Sequence, residues 1–304
     1  MKNKIRSPFF YVGDKYKIMP QIIKLFPENI NTYYEPFLGG GSSILYVNAS
    51  KYILNDINQY IISLHSYIGG FSNKTDELFN ILYALIKDYN LSCSYLGYDV
   101  PKVLKKKYIK TYYSKYNKEK YIKMREDYNN DRELSKLYLL LIYGFNHMIR
   151  FNSKGEFNLP VGNVDFNKNV FNALSFYLEF VSDKTIEFSV KDYIEFIQNI
   201  NFKKGDFIYF DPPYLISKSE YNKNWNEKDE MNLYDTIDKL HKKGVRFGLS
   251  NMTDHKGITN DIFKKWMSKY NVFYIKSNYI SRFDNSIKEN SKEVFVTNYE
   301  KKWK

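Results

Sequence analysis

The residues of greatest chemical interest in this sequence are Asp211, Pro212, Pro213 and Tyr214, which end the stretch FIYFDPPY. The apolar run before them predicts a buried strand, and α/β folds place their ligands at the carboxyl ends of parallel strands. Neither proline donates a hydrogen bond and both restrict φ, so the chain leaves the strand stiff and extended. The Asp211 carboxylate and the Pro212 carbonyl oxygen then suit an NH₂ group, and Tyr214 offers a face for a planar ring. The structural alternative is a turn in which Asp211 only caps the chain.

A second informative stretch is EPFLGGGS, residues 35–42. Its three glycines allow the backbone to approach a bulky ligand, although such turns also occur in other nucleotide-binding folds and in purely structural loops. Asp56 ends the next extended segment, 15 residues beyond Gly41. A carboxylate there can accept hydrogen bonds from both hydroxyl groups of a ribose, or it can cap the following helix. The two features together are compatible with an adenosine-containing ligand.

The elements that must position these residues alternate between strands and helices at both ends of the chain. Residues 33–58 show an extended segment, a glycine-rich turn, the short helix SSILYVN and a second extended segment. After residue 184 the order continues with TIEFSV, helical KDYIEFIQNI, FIYFDPPY, helical EKDEMNLYDTIDKLHKKG, VRFGLS, NVFYIKSNYI and KEVFVTNY. This alternation predicts an α/β fold with a Rossmann-like mixed β-sheet.

The middle of the chain, residues 61–184, lacks this alternation and predicts an inserted, mostly helical domain. Residues 102–136 contain twelve Lys or Arg against five Asp or Glu, with six tyrosines among them. SKLYLLLIYGFNHMI predicts a buried helix, and RFNSKGEFNLPVG predicts a β-hairpin that turns at SKG. We therefore predict one domain formed by residues 1–60 and 185–304 and a second formed by residues 61–184.

Composition limits the classes of protein that fit this chain of 304 residues. A single cysteine, Cys93, and the absence of an apolar run of ~20 residues predict a soluble intracellular protein without a membrane span. The formal net charge of +12 favours a polyanionic partner, although a codon bias toward Lys, Asn, Ile and Tyr would also produce it. The four histidines are scattered, so we predict no metal site.

DPPY at the end of a strand resembles the catalytic motif of the S-adenosylmethionine-dependent amino-methyltransferases that act on DNA. EPFLGGGS resembles the cofactor loop of their adenine-N6 members, and the order of loop, insertion and DPPY resembles the Dam/DpnII-type group along nearly the whole chain. The resemblance implies S-adenosyl-L-methionine as cofactor, no metal, and double-stranded DNA as partner. It also implies a cytoplasmic, DNA-associated protein, or one inside the host cell if viral, and is compatible with a restriction endonuclease as functional companion.

The same resemblance assigns roles to individual residues. YVGDKYK resembles the tract that contacts the methionine half of the cofactor, with Asp14 where glycine is commoner. The implied cofactor-binding residues are Tyr11, Lys15, Glu35, Phe37, Gly39, Gly41, Asp56 and Asp211. GFNHMIRFNSKGEFNLPVGN resembles the hairpin with which Dam-type enzymes recognise GATC, and the implied DNA-binding residues are Arg150, Asn152, Lys154 and Pro160. Arg150 would approach a guanine, while residues 102–136 would hold phosphates or form a solvated helix face.

We therefore expect methyl transfer to N6 of an adenine in double-stranded DNA, within GATC. The base cannot reach the cofactor while it is stacked, so it would be flipped into the DPPY pocket. Asp211 and Pro212 would accept the hydrogens of the amino group and localise its lone pair, and Tyr214 would stack on the base. Cys93 is not part of a Pro-Cys motif, which argues against cytosine-C5 chemistry.

Four alternatives stay open at this point. Cytosine-N4 transfer uses the same amine chemistry, although its enzymes more often have serine at the position of Asp211. Methylation of RNA or of a protein amide fits the fold, but such enzymes do not usually carry this hairpin. A catalytically silent DNA-binding subunit has no reason to keep DPPY intact, and a nicotinamide oxidoreductase leaves DPPY and the basic insertion unexplained.

Overall fold

The centre of the fold is one mixed β-sheet, and DPPY begins at its carboxyl-terminal edge. The computed structural model of the chain describes residues 5–217, 225–276 and 291–301. The strands are β1 (Ile30–Glu35), β2 (Ala49–Asn55), β3 (Thr185–Ser189), β4 (Phe207–Phe210), β5 (Arg246–His255), β6 (Ile258–Thr259), β7 (Asn271–Ile275) and β8 (Lys292–Thr297). Their order is β3-β2-β1-β4-β5-β8-β7, with β6 paired to β5. The first five strands run parallel and β8 is antiparallel to both neighbours, which confirms the predicted α/β fold with a mixed sheet.

Helices cover both faces of this sheet. They are α1 (Met19–Ile22), α2 (Gln59–Gly69), α3 (Thr75–Asp88), α4 (Lys102–Tyr108), α5 (Tyr112–Asp131), α6 (Leu134–Tyr143), α7 (Lys168–Ser182), α8 (Tyr193–Gln198), α9 (Glu227–Lys242) and α10 (Asp261–Met267). Side chains cap several of them, since Asn226 and Asp229 form a capping box at α9 and Asn167 caps α7. In the part of the chain that the structure describes, we find no helix whose length and apolar character would let it cross a membrane.

Strand β4 illustrates how the sequence produces two hydrophobic cores. All four of its residues are buried because helices lie on both faces, and the run therefore has no polar alternation. Phe207 and Tyr209 contribute to a core with residues of α2, α6 and α7. Ile208 and Phe210 contribute to a second core with residues of α8, α9 and α10. Neighbouring residues of the strand thus serve opposite faces, as the two-residue period of a strand requires.

The middle of the chain is largely helical, as predicted, and part of it packs directly on the sheet. α2 and α7 share the first core with β1 and β2, and α2 also contacts β3. α6 packs in turn on α2, α3 and α5. The predicted domain boundary at residue 60 lies inside α2, whereas residue 185 begins β3. The division into a catalytic and a target-recognition domain stays a prediction.

The helix predicted from SKLYLLLIYGFNHMI is shorter than expected. α6 ends at Tyr143 because Gly144 takes extended backbone angles (φ −78°, ψ 157°). A Cβ at Gly144 would lie 2.5 Å from the Leu140 carbonyl oxygen, so the chain can take this path only with glycine. Asn146 and His147 then adopt φ of 54° and 49°. The rest of the predicted helix therefore forms a turn that leads to the hairpin.

One predicted helix and two predicted strands also differ in detail from the expectation. SSILYVN forms a single 3₁₀ turn, Ile44–Tyr46, between β1 and β2. VRFGLS is the first part of a longer strand, since β5 continues to His255 and turns back into β6. The strand predicted from NVFYIKSNYI is β7 as far as Ile275, and its residues 277–280 lie outside the described residues.

Candidate active site

The carboxyl ends of β1 and β4 form the crevice in which the candidate active site lies. β1 and β4 are neighbours in the sheet, with β2 beyond β1 on one side and β5 beyond β4 on the other. Such a reversal of strand order leaves a crevice outside the carboxyl ends, where α/β folds bind ligands. A cavity of about 700 Å³ lies here, lined by both Glu35 and Asp211. Its volume is in the range of small-molecule and cofactor sites.

The structure brings nearly all the predicted catalytic and cofactor-binding residues to this cavity. Those that line it are Tyr11, Lys15, Glu35, Phe37, Gly39, Gly41, Asp211, Pro212 and Tyr214. Asp56 lies behind the glycine loop instead and is 3% exposed. The ring of Phe37 packs on Tyr193 and Trp225, at centroid distances of 5.1 and 5.9 Å. The acceptor role assigned to the Pro212 carbonyl oxygen stays a prediction.

Asp211 is held by an ion pair and a hydrogen bond to the same carboxylate oxygen. Lys15 Nζ lies 3.0 Å from Asp211 Oδ1, and the Tyr214 hydroxyl lies 3.2 Å from that oxygen. Among the described residues, Asp211 Oδ2 has no hydrogen-bond partner. Burial raises the pKa of Asp211, and the Lys15 ammonium opposes this rise. One oxygen therefore fixes the side chain while the other can accept a hydrogen bond from a ligand.

Lys15 and Tyr214 pack on each other beside Asp211. The Lys15 ammonium lies 4.5 Å from the centroid of the Tyr214 ring, a cation–π contact. Burial alone would lower the pKa of Lys15, but the carboxyl groups of Asp211 and Glu293 raise it on balance, so the ammonium stays charged. Because Lys15 covers one face of the Tyr214 ring, a base can stack there only on the other face or after Lys15 moves.

The glycine loop after β1 is held from two sides by Asp56 and His65. Gly39 and Gly41 adopt φ of 48° and 67°, a region that residues with a Cβ rarely occupy. Asp56 Oδ2 accepts the Gly39 N–H at 2.8 Å, and its Oδ1 accepts the Asn58 N–H at 2.9 Å. His65 Nε2 donates to the Gly39 carbonyl oxygen at 2.9 Å. Both oxygens of Asp56 thus bind backbone, and its assignment to the ribose hydroxyl groups stays a prediction.

The N-terminal segment packs against this loop. Tyr11 is 3% exposed, and its hydroxyl accepts a hydrogen bond from Asn58 Nδ2 at 3.2 Å. A Cβ at Gly40 would lie 2.9 Å from Tyr11 Cβ, so the two segments approach this closely only because residue 40 is glycine. Asp14, the residue that departs from the commoner glycine, accepts a hydrogen bond from the Ser42 hydroxyl. Tyr11 and Asp14 therefore anchor the segment that carries Lys15.

Glu35 contributes a buried carboxyl group to the cavity lining. It is 2% exposed, and its Oε2 accepts hydrogen bonds from the Tyr33 hydroxyl at 3.1 Å and the Ser43 hydroxyl at 2.5 Å. Burial raises the pKa of Glu35 well above its usual range, the Ser43 hydrogen bond opposes this rise, and the charge of Asp211 adds to it. The folded protein therefore keeps a proton on Glu35 at a pH at which the unfolded chain has lost it.

Glu35→Gln should stabilise the protein against unfolding, and more so as the pH rises. Glutamine keeps an oxygen that can accept from Tyr33 and Ser43 but cannot ionise. Because the pKa of Glu35 is raised in the folded state, its contribution to stability is full below the unfolded-state pKa and is lost as the pH rises toward the folded-state pKa. We expect the Tm difference between variant and wild type to widen between about pH 5 and about pH 8.

Thermal unfolding at several pH values measures this difference. Glu187→Gln is the control, since Glu187 is exposed on β3 and the substitution should leave the pH dependence of Tm unchanged. A Tm difference for Glu35→Gln that is the same at every pH would show that Glu35 ionises alike in the folded and unfolded states.

A known protein family matches most of the chain, from Tyr11 through the hairpin and DPPY. The match covers residues 11–280 and is to the family described as D12 class N6 adenine-specific DNA methyltransferase. The chain belongs to this family. Its membership confirms the resemblance that DPPY and the glycine loop indicated.

Curated proteins similar to this D12-class chain include modification enzymes and DNA adenine methylases. The modification methylase StsI of Streptococcus sanguinis is 36% identical over 313 residues, which cover 99% of this chain and 44% of that protein. The type II methyltransferase M.FokI of Planomicrobium okeanokoites is 33% identical over 306 residues, which cover 97% and 43%. The DNA adenine methylase of Haemophilus influenzae is 28% identical over 241 residues, which cover 73% and 69%. The chain thus spans less than half the length of StsI and M.FokI.

The DNA-binding residues predicted for this family member lie on a short hairpin. The Asn152 N–H donates to the Glu156 carbonyl oxygen at 2.9 Å, and the Asn158 N–H donates to that of Arg150 at 3.0 Å. Arg150 crosses the hairpin, since its Nε donates to Asn158 Oδ1 at 2.9 Å and its Nη2 to the Asn158 carbonyl oxygen at 2.8 Å. Asn152 Oδ1 accepts the N–H groups of Lys154 and Glu156 and so shapes the turn. Lys154 is exposed at the tip.

The base of the hairpin is joined to the turn after α6. Pro160 is exposed, and its carbonyl oxygen accepts the Phe145 N–H at 2.9 Å. Phe145 itself is 52% exposed, and the next residues, Asn146 and His147, line the cavity. This turn therefore connects the predicted DNA-binding surface with the cavity. The prediction of a buried helix over these residues did not indicate this connection.

The basic segment of residues 102–136 supplies both core and surface. On α5 the residues Asn117, Tyr121, Met124 and Tyr128 are buried at helical spacing. The exposed lysines are Lys102, Lys106, Lys107, Lys110, Lys115, Lys118 and Lys123. Some of the interleaved tyrosines are therefore packing residues, and the lysines are the part available to a polyanion.

Two buried residues of the site were not identified from the sequence. His65, one of the scattered histidines, also binds the Tyr177 hydroxyl through Nδ1 at 2.8 Å, and burial lowers its pKa to about 4, so the ring is neutral. Glu293 on β8 is fully buried, and its Oε1 lies 3.0 Å from the Tyr214 hydroxyl. The available signal was a glutamate directly before the apolar run Val294–Val296 of the strand. Within the described ranges, no group of His, Cys, Asp or Glu has the geometry to hold a metal ion.

Proposed function

We propose that this chain transfers a methyl group from S-adenosyl-L-methionine to N6 of an adenine in double-stranded DNA. The proposal rests on the contacts of the two Asp211 carboxylate oxygens. Lys15 and Tyr214 hold Oδ1, while Oδ2 has no hydrogen-bond partner among the described residues. A fixed acceptor in a ligand crevice suits an exocyclic amino group on a planar ring. Membership of the adenine-specific family supports the same chemistry.

The residues around the cavity fit S-adenosyl-L-methionine. The glycine loop lets the backbone approach a ligand without a Cβ in the way, and Phe37 supplies an aromatic wall. We assign Lys15 and Tyr11 to the methionine half, and Glu35 and Asp56 to the groups that carry hydroxyl or amino donors. When bound, the cofactor supplies an electrophilic methyl group on a sulfonium.

The chain's own residues would activate the amino nitrogen. Asp211 Oδ2 and the Pro212 carbonyl oxygen accept its two hydrogens and draw them out of the ring plane, which localises the nitrogen lone pair. The amino nitrogen would bond to the methyl carbon as the bond from that carbon to the sulfonium sulfur breaks, with the electron pair left on sulfur. One N–H bond would break as well, and the Asp211 carboxylate would accept the released proton. Tyr214 and Lys15 keep Asp211 in place during this step, so much of the rate comes from positioning.

Duplex DNA would meet the hairpin and the lysine-rich surface of α4 and α5. We assign Arg150, Asn152, Lys154 and Pro160 to base recognition within GATC and the exposed lysines to phosphates. A stacked adenine cannot reach Asp211, so the target nucleotide rotates out of the helix at a cost of a few kcal/mol. In this proposal residues 61–184 act as the target-recognition domain, and residues 1–60 and 185–304 as the catalytic domain.

The names of the similar proteins suggest a role in DNA modification. StsI is named a modification methylase and M.FokI a type II methyltransferase. We infer that this chain modifies DNA in the cytoplasm beside a restriction endonuclease that cuts the unmodified site.

Methylation-sensitive sequencing of duplex DNA incubated with the chain and S-adenosyl-L-methionine tests activity, target atom and site together. We expect N6-methyladenine at GATC. N6-methyladenine at another sequence would contradict only the assignment of GATC. N4-methylcytosine would contradict adenine as the target base. If the folded chain binds DNA but methylates no base, the alternative of a silent DNA-binding subunit is favoured.

Arg150→Ala should relax recognition of one guanine by about 1–3 kcal/mol, or roughly 5- to 150-fold in preference, because the guanidinium is assigned to that base edge. Competition between duplexes that differ at this guanine measures the preference. Arg132→Ala is the control, since Arg132 Nη2 also donates to the hairpin, at the Gly155 carbonyl oxygen (2.9 Å). It should change binding of all duplexes alike. An unchanged preference in Arg150→Ala refutes the assignment of this arginine.

A further inference from the structure

Positively charged side chains surround the opening of the active-site cavity to solvent. A residue that both lines the cavity and is exposed marks this opening. Lys17 and Lys256 are exposed in this way, and the side chain of Arg6 is 36% exposed. Lys15 lies deeper, where its side chain is 12% exposed and pairs with Asp211. We call Arg6, Lys17 and Lys256 the basic rim.

The carboxyl groups of the cavity lie deeper than the basic rim. Of the described residues that line the cavity, the acidic ones are Asp14, Glu35 and Asp211. The side chains of Asp14 and Asp211 are 7% and 18% exposed, and Glu35 is buried. In the proposed function a base enters toward Asp211, so the sugar and phosphates to which it is attached stay at the opening. Cations outside and carboxyl groups inside fit a polyanion whose backbone crosses the rim.

Arg6 is the cation of the basic rim that has a fixed position. Its Nε donates to Asp14 Oδ2 at 3.0 Å, and its Cζ lies 4.4 and 4.5 Å from the ring centroids of Phe10 and Tyr16. In the part of the chain that the structure describes, no acceptor binds its terminal nitrogens, Nη1 and Nη2. A guanidinium held in this way can present parallel N–H groups to two oxygens of a phosphate, and little side-chain freedom is lost on binding.

The surroundings of Arg6 place it beside the predicted DNA-binding surface. The Phe10 ring, on which Arg6 packs, lies 5.5 Å from the His147 ring. His147 belongs to the turn after α6, in which the Phe145 N–H donates to the Pro160 carbonyl oxygen at the base of the hairpin. A duplex bound by the hairpin would therefore have part of its backbone close to Arg6.

We propose that the basic rim binds the phosphate groups on either side of the target nucleotide, with Arg6 as the fixed contact. The elements that carry the rim lie on both sides of β4, since the N-terminal segment packs on the loop after β1 and Lys256 lies in the turn between β5 and β6. Arg6 donates to one phosphate once the base is in the cavity, and Lys17 and Lys256 add positive charge on flexible side chains. The inference rests on the proposed function of this site.

The salt dependence of DNA binding tests the basic rim. Each phosphate contact that is lost should reduce the slope of log K against log salt concentration by about 0.9. We expect this change in Arg6→Gln, with an affinity about tenfold lower at low salt. Glutamine can still donate to Asp14, and Arg6→Lys, which keeps the charge, should keep the slope. Lys256 is exposed, so Lys256→Gln should fold as the wild type does and still reduce the slope.

Lys204→Gln is the matched control for the loss of one charge. Lys204 is exposed and precedes β4, so it lies at the amino-terminal edge of the sheet, opposite the cavity. Its slope should equal that of the wild type. If Arg6→Gln keeps its Tm and also keeps the wild-type slope, Arg6 holds no phosphate and the proposal is overturned. If Arg6→Gln does not fold, an unchanged slope in Lys256→Gln overturns it.

A neutral phosphate analogue in the DNA locates the contact. A methylphosphonate on one side of the target adenine should weaken binding by the wild type by about tenfold, because it removes the charge that Arg6 meets. Arg6→Gln should bind this duplex and the unmodified duplex about equally, as expected for two partners of one contact. A methylphosphonate at the end of the duplex should affect both proteins alike. If the effects of Arg6→Gln and of both flanking methylphosphonates add in full, Arg6 does not bind these phosphates.

The carboxylate of S-adenosyl-L-methionine is the other anion that Arg6 can reach in this cavity. Titration calorimetry with the cofactor in the absence of DNA should give the same affinity for Arg6→Gln and the wild type. A loss of cofactor affinity with an unchanged salt slope would assign Arg6 to the cofactor and overturn the proposal. A wild-type chain whose DNA binding depends on the rim, but which transfers no methyl group, would overturn the proposed function and leave the basic rim as a DNA-binding site.

Discussion

Asp211→Asn is expected to slow methyl transfer to DNA by about 10²–10³-fold, the loss typical of removing one preorganised polar group from an active site. Asparagine has the shape of aspartate, but its one oxygen would take the position of Oδ1, where it faces the Lys15 ammonium. Its NH₂ group would then take the position of Oδ2, and an NH₂ group cannot accept a hydrogen from the substrate amine. The substitution also removes the ion pair that joins Lys15 to Asp211 at 3.0 Å. The single-turnover incorporation of labelled methyl groups into duplex DNA measures the effect.

Binding of DNA should be roughly unchanged in this variant, because the assigned DNA contacts lie on the hairpin and on α4 and α5. Asp192→Asn is the matched control. Asp192 caps α8 by accepting the Ile194 N–H at 2.8 Å, and asparagine is an equally good cap, so rate and Tm should both stay close to wild type. A wild-type rate in Asp211→Asn would remove the proposed mechanism.

Gly41→Ala should weaken binding of S-adenosyl-L-methionine by about 5- to 150-fold, equivalent to about 1–3 kcal/mol of backbone strain. Gly41 has φ of 67°, and a Cβ there would lie 2.8 Å from His65 Cε1. The His65 ring cannot yield easily, because it binds Tyr177 and the Gly39 carbonyl oxygen and packs 4.3 Å from the Phe9 ring. The loop must therefore distort, and titration calorimetry with the cofactor measures the loss.

Gly69→Ala is the control for this substitution. Gly69 is the last residue of α2, and a Cβ there would meet no atom within 4 Å. We expect its cofactor affinity to be unchanged and its Tm to be equal or higher, because alanine favours helix over glycine. If both variants bind the cofactor as the wild type does, the glycine loop is not part of the cofactor site.

Much of the fold and of the site could be predicted because short stretches of neighbouring residues determine the strands and turns involved. The run Phe207–Phe210 indicated a buried strand without reference to its neighbours, and DPPY directly after it placed Asp211 at a carboxyl end. The turn Ser153–Gly155 was readable from its own residues, and Gly155 has φ of 74°. The prediction failed at residues 144–149, where apolar residues continue the helical pattern but the packing of Gly144 against the Leu140 carbonyl oxygen ends the helix.

The sequence alone determined the alternation of strands and helices, the acid and prolines at the end of β4, the glycine loop and the hairpin, since backbone preferences and residue periodicity act over a few neighbouring positions. Only the tertiary structure decided which groups surround Asp211. Tyr214 and Glu293 are 79 residues apart in sequence and meet because β8 inserts beside β5, and Lys15 arrives from the N-terminal segment. Contacts between distant strands leave no local pattern, so the orientation and the hydrogen-bond partners of Asp211 depend on packing that residue spacing does not encode.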